Sequence, residues 1–181
     1  MNLSEQVRSR QEISTSETFE FSDTMNLRGS GKCIIDDDFE GTFIHHEKSN
    51  LIVNGARKAL AHLVAEATAN YRIQQFQLGI AGHSGTDILT PVSPTINDVA
   101  LNSSAFSKTI TVFEYLPTGA ETSVKFTVVV DKAEANGSGV VAYTEAGLFC
   151  ADGVTMFARE TFPAIVKNAN RRVSFEWSIL F

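Results

Sequence analysis

Apolar residues recur along this chain at two different spacings, and the change of spacing marks its organisation. Val53, Ala56, Leu60, Leu63, Val64 and Ala67 follow one another at mostly three- and four-residue steps, which predicts a helix over about 54–69 with one apolar side. Arg57, Lys58, Ala61 and Glu66 fall mostly off that stripe. Asn54 suits the N-cap, where its side chain would accept from a free first-turn N–H, and Asn70 suits a left-handed C-terminal close. His62 lies at the edge of the stripe and reads as a boundary residue rather than a ligand.

From residue 71 the period becomes two. Phe76, Leu78 and Ile80 alternate with Gln75, Gln77 and Gly79, and Ile110 with Val112 marks a further strand. Val124, Phe126, Val128 and Val130 alternate with Ser123, Lys125, Thr127 and Val129, and 135–139 is a turn. The cleanest strand is the last, where Val173, Phe175, Trp177, Ile179 and Phe181 alternate with Arg172, Ser174, Glu176 and Ser178. Between the first strands, 81–104 carries Gly82, Gly85, Pro91 and Pro94 and is too polar and broken for regular structure. A loop of that length in a compact domain is usually functional or contact-forming.

Residues 140–149 and 154–160 predict a hairpin around Asp152-Gly153, a pair that tolerates a type I′ turn. With those two as the loop, Phe149 faces Met156, Leu148 faces Phe157 and Gly147 faces Ala158. Both faces are then apolar, so the hairpin should be central and covered on both sides. The same register sets Glu145 against Glu160, an unfavourable pairing unless the ladder has ended or a cation such as Arg159 or Arg171 lies nearby.

The N-terminal third differs. Residues 1–32 are rich in Ser, Glu, Arg, Gln and Thr, with one short alternation at Thr18-Phe19-Glu20-Phe21-Ser22, and read as an arm ordered by docking on a neighbour. Residues 33–48 hold enough apolar side chains (Ile34, Ile35, Phe39, Phe43, Ile44) for a strand or clamp. The predicted fold is therefore mainly β: an antiparallel β-sandwich with one packed α-helix and an extended N-terminal arm. Its divisions are an attachment segment over 1–49 and a helix-plus-sandwich domain over 50–181.

Composition narrows the function classes. The chain is 43% hydrophobic and 20% charged, as soluble globular domains are, and it has no run of eighteen apolar residues to form a membrane-spanning helix. Met1–Gln6 is polar and carries no apolar signal-peptide core, so release inside an assembled particle is expected rather than standard secretion. The net charge of −6 argues against broad nucleic-acid binding, and Lys167, Arg171 and Arg172 read as solvated strand or turn positions. Cys33 and Cys150 belong to no CxxC pair and read as reduced thiols assembled in a bacterial cytoplasm.

Two sets of residues offer chemistry. Asp36-Asp37-Asp38 with His45-His46 supply the ligand types of a divalent-cation site. Adjacent aspartates in a strand point to opposite faces, however, so the run reads as a solvated acidic turn and no metal ligand is assigned. Ser84, Ser103 and Ser104 share the long loop with His83 and Asp87, but no Gly-x-Ser-x-Gly elbow, Walker loop or dinucleotide fingerprint is present. No catalytic, cofactor-binding or metal residue is assigned, and the chain is expected not to be an enzyme.

The order of these pieces resembles a known group. Asn50-Leu51-Ile52-Val53-Asn54-Gly55-Ala56-Arg57 with Leu60 and Leu63, then Gln77–Gly82 and the Gly/Thr/Pro-rich stretch after it, resemble the entry helix and a loop of phage tail and fibre-associated proteins. So do Glu145–Phe149, Asp152-Gly153, Met156–Arg159, Phe162-Pro163 and the terminal Val173–Phe181. The likeness covers 50–181. It implies a structural component of a tailed bacteriophage virion, from the tail, neck or collar, baseplate or fibre region. Such a component acts as an oligomer and through contacts with other virion proteins. The alternative it leaves open is a tail-fibre module that binds a host-surface glycan, with Tyr115, His83 and the 81–104 loop as candidates.

Overall fold

The computed structural model describes residues 27–118 and 121–181. In chain order these form β1 (Arg28–Asp37), β2 (Gly41–Ile52), α1 (Asn54–Glu66), a 3-10 turn (Ala69–Tyr71), β3 (Ile73–Gly79), β4 (His83–Ser84), β5 (Asp87–Pro91) and β6 (Ser104–Thr109). β7 (Val112–Thr118), β8 (Glu121–Val130), β9 (Val141–Cys150), β10 (Met156–Lys167) and β11 (Arg171–Leu180) complete them.

Nine strands make one curled antiparallel sheet in the order β6-β3-β9-β10-β2-β1-β11-β8-β7, and β4 and β5 make a separate small ladder. The sandwich is thus a single sheet folded on itself. β2 is the fold line: Gly41–Asn50 pairs with β1, while Leu51 and Ile52 pair with Arg159 and Ala158 of β10. The two halves meet through aromatic rings. Phe76 of β3 lies 4.8 Å from Phe175 and 6.3 Å from Trp177 of β11, and Phe162 of β10 lies 6.2 Å from Phe175. The alternation in β8 and β11 is the inward set of one half: Phe126, Val128, Val130, Val173, Phe175, Trp177 and Ile179 are all in the core.

Several expectations change. The boundary at residue 49 falls inside β2, and 28–49 belong to the sheet, with β1 between β2 and β11. Their pattern hides this because the inward positions are Gly29, Gly31, Cys33, Ile35 and Asp37 on β1, paired with Asn50, Lys48, His46, Phe43 and Gly41 on β2. An inner face that is partly polar shows no apolar alternation. The rest of the arm, including Thr18–Ser22, lies outside the described residues.

The helix ends at Glu66 with a left-handed Ala67 (φ 51°), while Asn70 sits in the 3-10 turn. Val53 holds the N-cap position, and Asn54 instead donates from its side chain to Asn97 Oδ1 (2.9 Å). Of the expected stripe, Ala56 is buried, joined by Ala59, while Val64 and Ala67 are exposed. The first turn sits tightly on β10, where a Cβ on Gly55 would lie 2.0 Å from the Met156 carbonyl oxygen. The loop over 81–104 is also not wholly irregular, since it holds the β4–β5 ladder.

The central hairpin is β9–β10, buried on both faces from Tyr143 to Cys150 and from Met156 to Phe162. Its turn is longer than two residues. Asp152 accepts from the Val154 and Thr155 amides (3.0 and 2.9 Å), and Gly153 takes φ 74°. Met156 pairs with Phe149 as expected, but the next pairs are Ala158–Leu148 and Arg159–Gly147. Phe157 is the extra residue of a bulge, and it moves the partners through Thr161 by one, before a second irregularity between Thr161 and Ile165. Glu145 therefore faces Thr161, not Glu160.

Candidate functional site

Arg159 and Glu160, successive residues of β10, point to opposite faces of the buried hairpin, and each builds a polar centre. On the outer face, Glu145 is fully buried and is held from three sides. Arg159 donates to its Oε2 (2.7 Å), the Asn102 amide to the same oxygen (3.1 Å) and the Ser103 amide to Oε1 (3.0 Å). The other arm of the Arg159 guanidinium reaches Asp98 Oδ2 (2.6 Å). Asp98 closes its own turn by accepting from the Thr95 hydroxyl and amide (2.6 and 3.0 Å). Burial works against the Asp98 charge, but Thr95 and then Arg159 outweigh it and hold the carboxyl below its ordinary range.

This network straps the 81–104 loop to the hairpin. Thr144 Oγ1 accepts from the Gly82 amide (2.9 Å), and Thr161 Oγ1 donates to the Val92 carbonyl (2.6 Å). Leu101 adds an apolar patch with Val53, Phe149 and Met156. What the strapped loop offers outward is apolar: Leu89 and Val99 are 65% and 77% exposed, and Ile88 and Ile96 are exposed beside them.

On the inner face, Glu160 points at the place where β2 parts from β10. Its Oε1 lies 3.1 Å from His46 Nε2, off the hydrogen-bond direction, so neither atom is satisfied. His46 stacks on Phe162 (4.8 Å between centroids), and its Nδ1 lies 2.9 Å from His45 Nδ1. The Lys48 ammonium donates to the Thr161 carbonyl, and the Ala164 carbonyl accepts from the His45 ring. Side chains of β2 thus meet carbonyls of β10 where the ladder has stopped. Burial lowers the His45 pKa, and His46 adds to this. Burial also lowers that of Lys48, against the opposing charge of Glu160.

The residues singled out from sequence are not brought together. Asp37 closes the β1–β2 turn on the Phe39 and Glu40 amides (2.8 and 3.2 Å) and takes the Arg171 Nε (2.5 Å). Asp36 accepts from Thr42, and Asp38 pairs with Lys132. Among the described residues no group of three or more His, Cys, Asp or Glu is placed to hold a metal. His83 lies against the Thr144 hydroxyl (3.3 Å), Asp87 caps Leu89 and Thr90, Ser103 serves Glu145, and Ser104 donates to Gln77 (2.9 Å).

Arg172 pairs with Asp131, but Lys167, expected in solvent, is buried and donates to the Lys132 and Asn168 carbonyls and to Asn136. Both cysteines are buried and free. Burial pushes the Cys150 thiol up to about 12, and burial with the Glu160 charge raises Cys33. No helix among the described residues is long and apolar enough to cross a membrane.

Sequence reasoning named Arg159 only as a neutralising charge and missed Asp98 and Asn102, and it named His45, His46 and Glu160 without bringing them together. A signal for the first was the presence of Glu145 in an otherwise apolar strand, since a buried carboxylate requires a partner. Compared with protein-family models, with curated proteins and with solved structures, the chain shows no match.

Proposed function

We propose that this chain is a structural component of a tailed bacteriophage particle, in the tail, neck or collar, or baseplate region. It works through protein–protein assembly with its own copies and with other virion proteins, and the N-terminal segment is the tether. The observation that carries the reading is the use made of the Glu145–Arg159 hairpin, the most telling piece of the family resemblance. Its buried charges hold in place a long loop whose outward side chains are apolar. A rigid centre that presents an apolar loop suits a contact surface. In the same reading the protein has no catalytic role, needs no cofactor and contacts neither nucleic acid nor membrane. It is assembled in the host bacterial cytoplasm and resides in the virion.

Deletion of residues 1–26 stops short of β1 and tests the tether. The truncated protein is expected to fold and to be missing from purified particles, as read by immunoblot and by immunogold labelling of the full-length control. Normal incorporation of the truncated chain rules the tether out, and absence of the full-length chain from particles rules out the whole reading.

One observation favours the second reading, a glycan-binding module. Tyr115 and Phe113 stand on edge strand β7, 67% and 55% exposed, with ring centroids 5.9 Å apart. Binding on a glycan array that disappears in Tyr115→Ala would support it, and a silent array would retire it.

A further inference from the structure

The two edges of the nine-stranded sheet, β6 and β7, are finished differently. On β6 the inward row that begins with Phe106 continues with Lys108, whose ammonium donates to the Val129 carbonyl (2.8 Å) and pairs with Glu134 (2.5 Å). An inward lysine on an edge strand guards against further strand pairing. β7 has no such guard. Trp177, Phe126 and Phe113 form one inward row, and Ile179, Val124 and Tyr115 form the next. Phe126 is 7% exposed, while Phe113 and Tyr115 are 55% and 67% exposed, so the core-facing side of the sheet runs on uncovered past β8.

The backbone of β7 is open at the same residues. The Thr122 carbonyl accepts from the Phe181 amide, so Ser123 and Lys125 turn their backbone groups to β7, where their partners are Leu116 and Glu114. The amides and carbonyls of Phe113 and Tyr115 therefore face away from the sheet. Pro117 has no amide to add to this row, which keeps the open edge short.

Residues 1–26 supply a matching piece of sequence. Their one period-two stretch, Thr18-Phe19-Glu20-Phe21-Ser22, carries two aromatic rings on one side of a strand. We infer that residues 18–22 of one copy add to the β7 edge of a second copy as an antiparallel strand. Phe19 then lies beside Tyr115 and Phe21 beside Phe113. Glu20 falls in the outer row of Glu114, whose charge Lys125 answers at 2.5 Å. Reach selects a second copy. β7 lies three strands from β1, and Arg28 is level with Leu116. With Ser22 opposite Val112 on the added strand, Ser22 and Arg28 are four strand spacings and four residue rises apart, about 23 Å. The six residues between them in sequence span at most about 20–22 Å. A chain's own arm falls short, and a neighbour's is not bound by that distance. The inference rests on the assembly reading above, names the surface that receives the tether, and assigns to protein the two rings that a glycan module would use.

The full-length protein is compared by sedimentation velocity over a concentration series with two variants, Phe19→Ser/Phe21→Ser on the arm and Phe113→Ser/Tyr115→Ser on the edge. The wild type is expected to self-associate, and each pair of changes to weaken this by about tenfold or more. The arm variant keeps a sound edge and the edge variant a sound arm, so an equimolar mixture of the two should associate again. A monomeric wild type overturns the inference, and so does association that either variant leaves intact. Loss in both variants without recovery in the mixture also overturns it. Should the edge variant fail to fold, Tyr115→Ser alone takes its place. Association of the pure protein is measured without particles, so this inference and incorporation of the chain into virions can fail separately.

Discussion

Arg159 and Glu160 are neighbours on one buried strand, and their surroundings differ in nearly every respect. Arg159 faces outward into a network in which Glu145, Asp98 and two loop amides answer one another, and only its Nε lacks a partner. Glu160 faces inward among aromatic rings, with a misaligned imidazole at 3.1 Å and unpartnered atoms around it. The difference shows what buried charge does in each place. Outside, it fixes a loop that has no apolar core of its own. Inside, it lies where β2 has left β10 for β1, beside His46 and close to the Lys48 contact with the Thr161 carbonyl. A satisfied network rigidifies a structure, while buried polar groups without partners weigh against its stability.

The largest test of that contrast is Arg159→Met. It leaves Glu145 charged and buried with its strongest partner gone, and should cost about 3–5 kcal/mol in urea unfolding. Replacing both groups (Arg159→Met with Glu145→Leu) should cost less than the single change, and an additive cycle would mean that the two are not coupled. Glu145→Gln is next. It keeps the shape but turns an amide N–H toward a loop N–H, with an expected loss of about 1–3 kcal/mol. Faster proteolysis within 81–104 should accompany it.

A pH series addresses the loop alone. Asp98 is held below its ordinary value of 3.8, so its contribution is present above that value and is lost as the pH falls through the lower folded one. Loop cleavage by an acid-active protease should therefore rise only below about 3.8, and Asp98→Asn should move that onset to neutral pH. The smallest effect belongs to the inner face. Asn50→Leu replaces an unpartnered amide with an apolar group, and stability should fall by no more than about 1 kcal/mol or should rise. A loss as large as that of Arg159→Met would erase the distinction between the two faces.

Much of the fold was legible because period-two alternation survives wherever a strand has one apolar and one polar face. β8 and β11 are of that kind, and their inward residues were named correctly except for Phe181, which lies past the end of β11 and is exposed. β1 and β2 were legible only as a strand or clamp over 33–48, since Gly29, Gly31, Asn50, Lys48 and His46 stand at positions of that ladder where apolar residues are expected. The hairpin was recognised, but its register was missed, because nothing local to Phe157 announces a bulge. That single residue decides which of two adjacent charges meets Glu145. The loop contacts were hidden for a related reason: Asp98 lies 47 positions from Glu145 and 61 from Arg159, and no spacing rule links them.

The sequence by itself determined the class of the molecule: mainly β, with one amphipathic helix and a central hairpin apolar on both faces. Those are consequences of side-chain period, which acts over a few residues. Tertiary structure alone decided that the sandwich is one sheet creased at β2, that β1 and β2 lie at its centre, and which polar groups are partnered. Pairing register and buried charge are settled by groups far apart in the chain, where a shift of one residue exchanges the inside of a strand for the outside.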